Sequence, residues 1–328
     1  MERQCVCYPK VKEHFSFLLM QCRLISQENN MKLPSKSLRE RVSYTPIHRR
    51  PSLTLPCGGK VILWVIVNVE NWQTEQPMPR VILPPPMGQP LLPDIPNWSW
   101  HEYGMRVGFW RYLKVMQERD IQPTLAINGS ACDIYSEACE AALEAGWEFI
   151  GHGFVQRPMH LAKNEKKEIS DTIQIIEKFA GKKPRGWESP GLTETNSTVD
   201  LLAELGVEYV ANWVLDEQPV LVETQSEPLV ALPYPVEMND VVISAVQQQP
   251  SDEIYRRGKD QFDRLYMESD ESVKVMSISL HPYLTGVPHR IKYLEQLLDY
   301  ILQHEGVVSM TGEEILDWYK EQIALYAR

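Results

Sequence analysis

Three apolar runs in this 328-residue sequence end in a side chain able to move a proton. Val61-Ile-Leu-Trp-Val-Ile-Val67 leads to Asn68, Val69 and Glu70; Trp147-Glu-Phe-Ile-Gly151 leads to His152; Val275-Met-Ser-Ile-Ser-Leu280 leads to His281. One carboxylate and two imidazoles suffice for general acid–base catalysis. Glu70, flanked by Asn68, Asn71 and Trp72, is expected at an apolar, aromatic-walled rim. Desolvation there would raise its pKa toward values that suit a general base. His152 lies between Gly151 and Gly153, where little side-chain bulk crowds the backbone. Pro282 favours extended backbone at His281 and aims the imidazole away from the strand end. Each residue has a plainer alternative: Glu70 paired with Arg106 or Arg111, His152 as an ordinary turn histidine, or any of them capping the next helix. All three at strand ends together make a site.

Glu and His also bind zinc. A metal here would take Glu70, His152 and Gln156, but Gln156 stands where a tight site needs a second histidine, and His160 and His289 fall in other loops. The spacing therefore predicts no metal and no other cofactor, with zinc as the alternative. Phosphate-cradling glycine loops, a Ser-His-Asp order and a thiol nucleophile signature are missing from the sequence.

The elements that must position these residues alternate. The seven-residue apolar run 61–67 reads as a strand covered on both faces, as in parallel α/β sheets, where chemistry gathers at the carboxyl ends. Strands are expected at 123–127, 147–151, 185–187, 207–211, 229–232, 241–246 and 275–280, with helices between them. Met105, Phe109, Leu113 and Met116 mark one helix, Ile169, Ile173, Ile176 and Ala180 another, Ile291, Leu294, Leu298 and Ile301 a third. This β–α alternation predicts one parallel α/β domain, closed as a barrel. Eight prolines between Pro77 and Pro96, interspersed with apolar residues, predict an ordered loop draped over the core as a lid.

An apolar content of 43% with 9 Trp and 14 Tyr supports a large core, and a net charge of −11 argues against nucleic acid as a partner. Residues 1–59 run the other way, with ten Lys/Arg against four Glu, so residues 1–43 are expected to be a flexible basic leader and 44–328 the folded domain. Phe15-Ser-Phe-Leu-Leu-Met20 is too short to span a bilayer and lacks a cleavage site, and Met31 is an alternative start. Cys5, Cys7, Cys22, Cys57, Cys132 and Cys139 form no C-x-x-C pair, so a reducing, cytoplasmic setting is expected.

Five pieces, in order, resemble the polysaccharide deacetylase superfamily, and within it the branch that contains the cofactor-independent allantoinases. They are Val67-Asn-Val-Glu-Asn-Trp72, Tyr103-Gly-Met-Arg-Val-Gly-Phe-Trp110, Gly146-Trp-Glu-Phe-Ile-Gly-His-Gly153, Gly186-Trp-Glu-Ser-Pro-Gly191 and Ser279-Leu-His-Pro282. The resemblance implies a distorted (β/α) barrel of about seven parallel strands, hydrolysis of a non-peptide C–N bond and a homotetramer. Where the family has an Asp-Asp or Asp-x-Asp motif this chain has Asn68, Val69, Glu70 and Asn71; Gln156 replaces a second histidine, and Glu188 stands at the family's arginine. Losing an aspartate together with its arginine leaves no unpaired buried charge.

The leading expectation is a hydrolase of a small amide or ureide, with Glu70 activating water, His281 protonating the leaving nitrogen and His152 orienting water or polarising the carbonyl. Asn68, Asn71, Trp72, Gln156, Trp187, Glu188 and Trp213 are expected to bind the substrate. Two alternatives stand: a metal-dependent N-deacetylase of amino sugars, and a catalytically dead barrel that binds a small polar ligand.

Overall fold

The computed structural model describes residues 36–326. The leader through residue 35, with Cys5, Cys7, Cys22, the Phe15–Met20 run and Met31, lies outside the described residues. Residues 36–326 belong to one compact unit. Its strands are β1 (Val61–Val69), β2 (Thr124–Ile127), β3 (Glu148–Gly151), β4 (Gly186–Trp187), β5 (Tyr209–Val210), β6 (Val220–Val222), β7 (Leu229–Ala231), β8 (Lys274–Leu280) and β9 (Val307–Ser309). They form one sheet in the order β6-β7-β5-β4-β3-β2-β1-β8, with β9 beside the first residues of β1. Every pairing is parallel except β6 with β7. An Asn239–Ser279 bridge carries the segment after β7 to the free edge of β8, which curls the sheet toward closure. The architecture is the expected distorted (β/α) barrel, with nine strands among the described residues.

Alternation along the strands separates two apolar layers. Val61, Leu63, Val65, Val67 and Val69 point outward to the helices, whereas Ile62, Trp64 and Ile66 point into the barrel with Ile150, Tyr209 and Val275. Toward the amino ends of the strands the interior is polar but paired. Glu148 accepts from Tyr209 Oη and Thr124 Oγ1, each at 2.7 Å, and burial pushes its carboxyl up to about 7.

Four sequence expectations change. The Val-rich segment 241–246 is a π-helical turn with Val241 and Ile243 buried, so tertiary packing overrides its β propensity. Strands β6 and β9, each three residues long, were too short to stand out by pattern. The folded domain takes in residues 36–43, because Arg41 is buried, pairs with both oxygens of Asp200 and donates to Asn196 O and Glu223 O. The proline-dense loop is ordered, and Asn97 ties it down through Ile82 N, Leu83 N and Leu83 O. Of its apolar residues, however, Met78 reaches the core while Val81, Ile82, Leu83, Met87, Leu91 and Leu92 face outward. Among the described residues no helix is long and apolar enough to cross a membrane.

Candidate active site

Strand register sets the site. One residue beyond the pairs Val69–Ile127, Ile127–Gly151 and Gly151–Trp187 stand Glu70, Asn128, His152 and Glu188. One residue beyond Val67–Leu280 stand Asn68 and His281. Glu70 shares the inward parity of Ile62, Trp64 and Ile66, His152 that of Ile150, and His281 that of Val275. The three strand-end residues thus converge inside the barrel from three strands.

Glu70 is the hub. Its Oε1 lies 3.7 Å from His281 Nε2 and 3.9 Å from His152 Nε2, and Oε2 accepts the Trp72 indole N–H at 2.6 Å. The imidazole gaps exceed hydrogen-bond length, so a water oxygen can meet Glu70 and an imidazole together. Burial alone would raise this carboxyl, but His152, His281 and His101 outweigh it and hold Glu70 at about 2. This reverses the expected upward shift, because the rim is lined by imidazoles as well as apolar groups. The arginine alternative also fails: Arg106 pairs with Glu102, and Arg111 donates to Tyr103 Oη and Gly286 O.

His152 Nδ1 lies 2.7 Å from Glu188 O, which fixes Nδ1 as the protonated nitrogen and turns Nε2 toward Glu70. Burial pulls its pKa down, but the Glu70 carboxylate and the hydrogen bond to Glu188 O raise it above the ordinary histidine value. His281 is held from behind by Asp240, whose Oδ1 is 2.7 Å from Nδ1 and whose Oδ2 accepts the His281 backbone N–H at 2.9 Å. Against the pull of burial, Asp240 and then Glu70 raise the His281 pKa. Asp240 opens the 241–246 π-turn, and no local sequence signal pointed to it.

The His281 loop has a glycine seat. A π-helical turn, Gly104–Gly108, joins the helix Ile95–Tyr103 to the helix Phe109–Gln117. A Cβ on Gly104 would come within 2.4 Å of Tyr283 N, and one on Gly108 within 2.1 Å of Pro282 O. Tyr112 Oη, a turn further on, donates to His281 O at 3.0 Å. On the preceding helix His101 stacks on Trp72 with ring centroids 4.4 Å apart, and burial pushes it down to about 4.

Asn68 Nδ2 donates to Ser279 Oγ at 3.0 Å and Glu188 Oε1 accepts from Tyr234 Oη at 3.0 Å, so both belong to the polar cluster around Glu70 and His152. Other expected ligand contacts lie elsewhere. Trp187 points outward beneath Met159, Ile169 and Val199, because its strand parity is opposite to that of Glu188. Trp213 donates to Glu194 at 3.0 Å and packs against the same outer cluster. Asn71 is held by Asn128 and Ser130. Sequence reasoning missed Asp240, Tyr234, Ser279, Asn128 and His101. Of these only Ser279 carried a signal, since Ser277, Ser279 and His281 alternate with Met276, Ile278 and Leu280.

Ten buried side-chain polar atoms among the described residues have no partner, and five of them cluster here: Asn68 Oδ1, His101 Nδ1, His152 Nε2, Glu188 Oε2 and Tyr283 Oη. Unsatisfied groups are rare in folded proteins, and this concentration marks a place for a polar guest. A family metal fits less well. Glu70 and His152 face each other, but the Gln156 amide oxygen is 3.4 Å from Asn128 Nδ2, and among the described residues no three His, Cys, Asp or Glu side chains are grouped to hold a metal ion. Glu70, His152 and Gln156 do not make a three-ligand zinc site.

Comparison with known proteins bears on these features. Residues 100–210 match the family model described as polysaccharide deacetylase. A protein of Schizosaccharomyces pombe (strain 972 / ATCC 24843), named provisionally as a polysaccharide deacetylase, is 30% identical over 238 residues, 66% of this chain and 74% of its own. The peptidoglycan deacetylase of Helicobacter pylori (strain ATCC 700392 / 26695) is 25% identical over 245 residues, 64% of this chain and 83% of its own. Among solved structures, the PuuE allantoinase superposes with a TM-score of 0.74 at 25% identity, covering 88% of this chain and 98% of that one. A Pseudomonas aeruginosa PAO1 protein, named provisionally as a polysaccharide deacetylase, gives a TM-score of 0.75 at 26% identity, covering 83% and 95%. The chain belongs to the polysaccharide deacetylase family.

Proposed function

We propose that this protein hydrolyses a non-peptide carbon–nitrogen bond in a small amide or ureide. The observation that carries the reading is one carboxylate oxygen, Glu70 Oε1, set 3.7 and 3.9 Å from two imidazole nitrogens, with Asp240 behind one imidazole. Family membership and the likeness to an allantoinase support the bond class.

A water held against Glu70 Oε1 attacks the carbonyl carbon and gives its proton to Glu70. The C–N bond breaks as protonated His281 delivers Nε2–H to the leaving nitrogen. Glu70, a weak base held at about 2, then returns its proton across the 3.7 Å gap to His281, which resets the site. His152, protonated at Nδ1, orients the water through Nε2. We also propose self-assembly into a homo-oligomer, which light scattering of the purified protein checks.

The test is turnover of ureides, imides and acetylated amino sugars by wild type and Glu70→Gln. Hydrolysis of a ureide or amide by wild type, lowered roughly 10²–10⁴-fold in the variant, is expected. An equally fast variant, or wild type active only on acetylated sugars with added metal, refutes the reading.

A further inference from the structure

Glu188 Oε2 is buried without a partner inside the site, beside His152, and the proton relay above leaves it unused. Its other oxygen ends a one-way hydrogen-bond chain. Asn68 Nδ2 donates to Ser279 Oγ at 3.0 Å, and Ser279 Oγ lies 2.8 Å from Tyr234 Oη. Tyr234 Oη also accepts from Asn239 Nδ2 at 3.1 Å and donates to Glu188 Oε1 at 3.0 Å. With its lone pairs taken by Ser279 and Asn239, the Tyr234 hydroxyl has one proton to give, and Glu188 Oε1 receives it. Only Oε2 is left to meet a guest.

Charge balance decides which form of the carboxyl meets it. The titratable groups that act on Glu188 are His152 from β3 and Tyr234 beyond β7, both in contact with it, and Glu70 from β1 and His281 from β8. Even with both imidazoles, His152 and His281, charged, Glu70 between them and Asp240 behind His281 match those charges. A third carboxylate at this depth would be an uncompensated buried charge, which folded proteins avoid by protonating it. Burial, the largest influence on Glu188, raises its pKa in that direction.

We propose that Glu188 is a further substrate-contacting residue, which stays a neutral carboxylic acid and donates Oε2–H to the carbonyl oxygen of the bond under attack. No proton leaves Glu188: its hydrogen bond strengthens as the carbonyl oxygen becomes an oxyanion, and relaxes when the C–N bond breaks. This rests on the hydrolytic reading and adds the oxyanion donor which that reading lacks.

Glu188→Gln decides the matter, because the amide oxygen can accept from Tyr234 while the amide N–H replaces the Oε2–H donor. On the substrate that wild type turns over, Glu188→Gln is expected to keep kcat within about tenfold, while Glu188→Leu loses roughly 10²–10³-fold with KM little changed. At neutral pH the infrared difference spectrum of wild type minus Glu188→Gln should show the carbonyl stretch of a protonated carboxyl, a readout that needs no turnover. A Gln variant as inactive as the Leu variant, or a difference spectrum without that band, overturns the proposal. Inactive wild type is the separate failure of the hydrolytic reading. The Gln variant keeps the test open if Glu188→Leu does not fold.

Discussion

Asp240 Oδ1 lies 2.7 Å from His281 Nδ1 although 41 residues separate the two in the chain. The carboxylate fixes which imidazole nitrogen carries the inner proton, aims Nε2 at Glu70 and favours the charged ring. Asp240→Asn removes the charge but keeps much of the shape. The expected outcome is a kcat loss of up to about 10⁴-fold, as when an orienting carboxylate is neutralised behind a catalytic histidine. Because Asp240 raises the His281 pKa, the alkaline limb of the pH–rate profile should move to lower pH in the variant. The stability effect has the same sign. A raised folded pKa stabilises fully below the unfolded value and is lost as pH rises through the folded one. Asp240→Asn should therefore destabilise more at pH 5 than at pH 9, and denaturant melts at the two pH values check it.

Glu70 contributes in the opposite pH window. Its carboxyl is depressed from 4.5 to about 2, so the stabilisation is present above 4.5 and disappears as pH falls toward 2. A shift of this size in a buried group corresponds to about 3 kcal/mol. Glu70→Gln should lose that increment at pH 6, and its stability should fall less steeply than that of wild type between pH 5 and pH 2. Calorimetric melts across this range test the sign directly.

Much of this site was legible because inward parity and strand-end position are properties of the sequence itself. Glu70, His152 and His281 follow fully buried strands of nine, four and seven residues, and a strand of known parity dictates which side its next residue faces. Trp187 shows the limit. β4 is only two residues long, so its parity does not show in the sequence, and the indole expected to bind the substrate points outward. Asp240, Tyr234 and Asn239 were illegible for another reason. They follow β7 in an irregular stretch whose path along the edge of β8 is set by the Asn239–Ser279 bridge, a long-range contact with no local signature. The sign of the Glu70 shift is not legible in the sequence, because it depends on His152 and His281, which only the fold brings beside it.

Gly104 and Gly108 are four residues apart on the π-turn, and both face the Pro282–Gly286 backbone. A methyl group at either position would sit 2.1–2.4 Å from main-chain atoms that cannot swing aside as a side chain can. Gly104→Ala or Gly108→Ala should destabilise by about 1–3 kcal/mol through overpacking. It should also lower kcat, since the loop that must move carries His281. Gly181→Ala is the contrast: its Cβ would meet nothing within 4 Å, although its φ of +70° still disfavours alanine. A thermal melt paired with kcat separates the cases, because the Gly181 variant should lose stability and keep its turnover.

Trp72 and Trp187 are both buried indoles, yet only the first touches Glu70. Trp72 donates Nε1–H to Glu70 Oε2 at 2.6 Å, and its ring is held against His101 and Tyr283, with centroids 4.4 and 5.2 Å away. Trp187 Nε1 donates to Ser189 Oγ at 3.0 Å, outside the barrel. Trp72→Phe keeps an aromatic ring and deletes the hydrogen bond to a charged oxygen, a contact worth about 1.5–3 kcal/mol. Without that donor the Glu70 carboxylate loses both its orientation and part of its stabilisation. The expected result is a kcat reduced roughly 10–100-fold, with a modest fall in Tm. Trp187→Phe should show the reverse pattern, a lower Tm from the vacated volume with kcat unchanged. If Trp187→Phe were the variant that lost turnover, the outward placement of this side chain would be wrong.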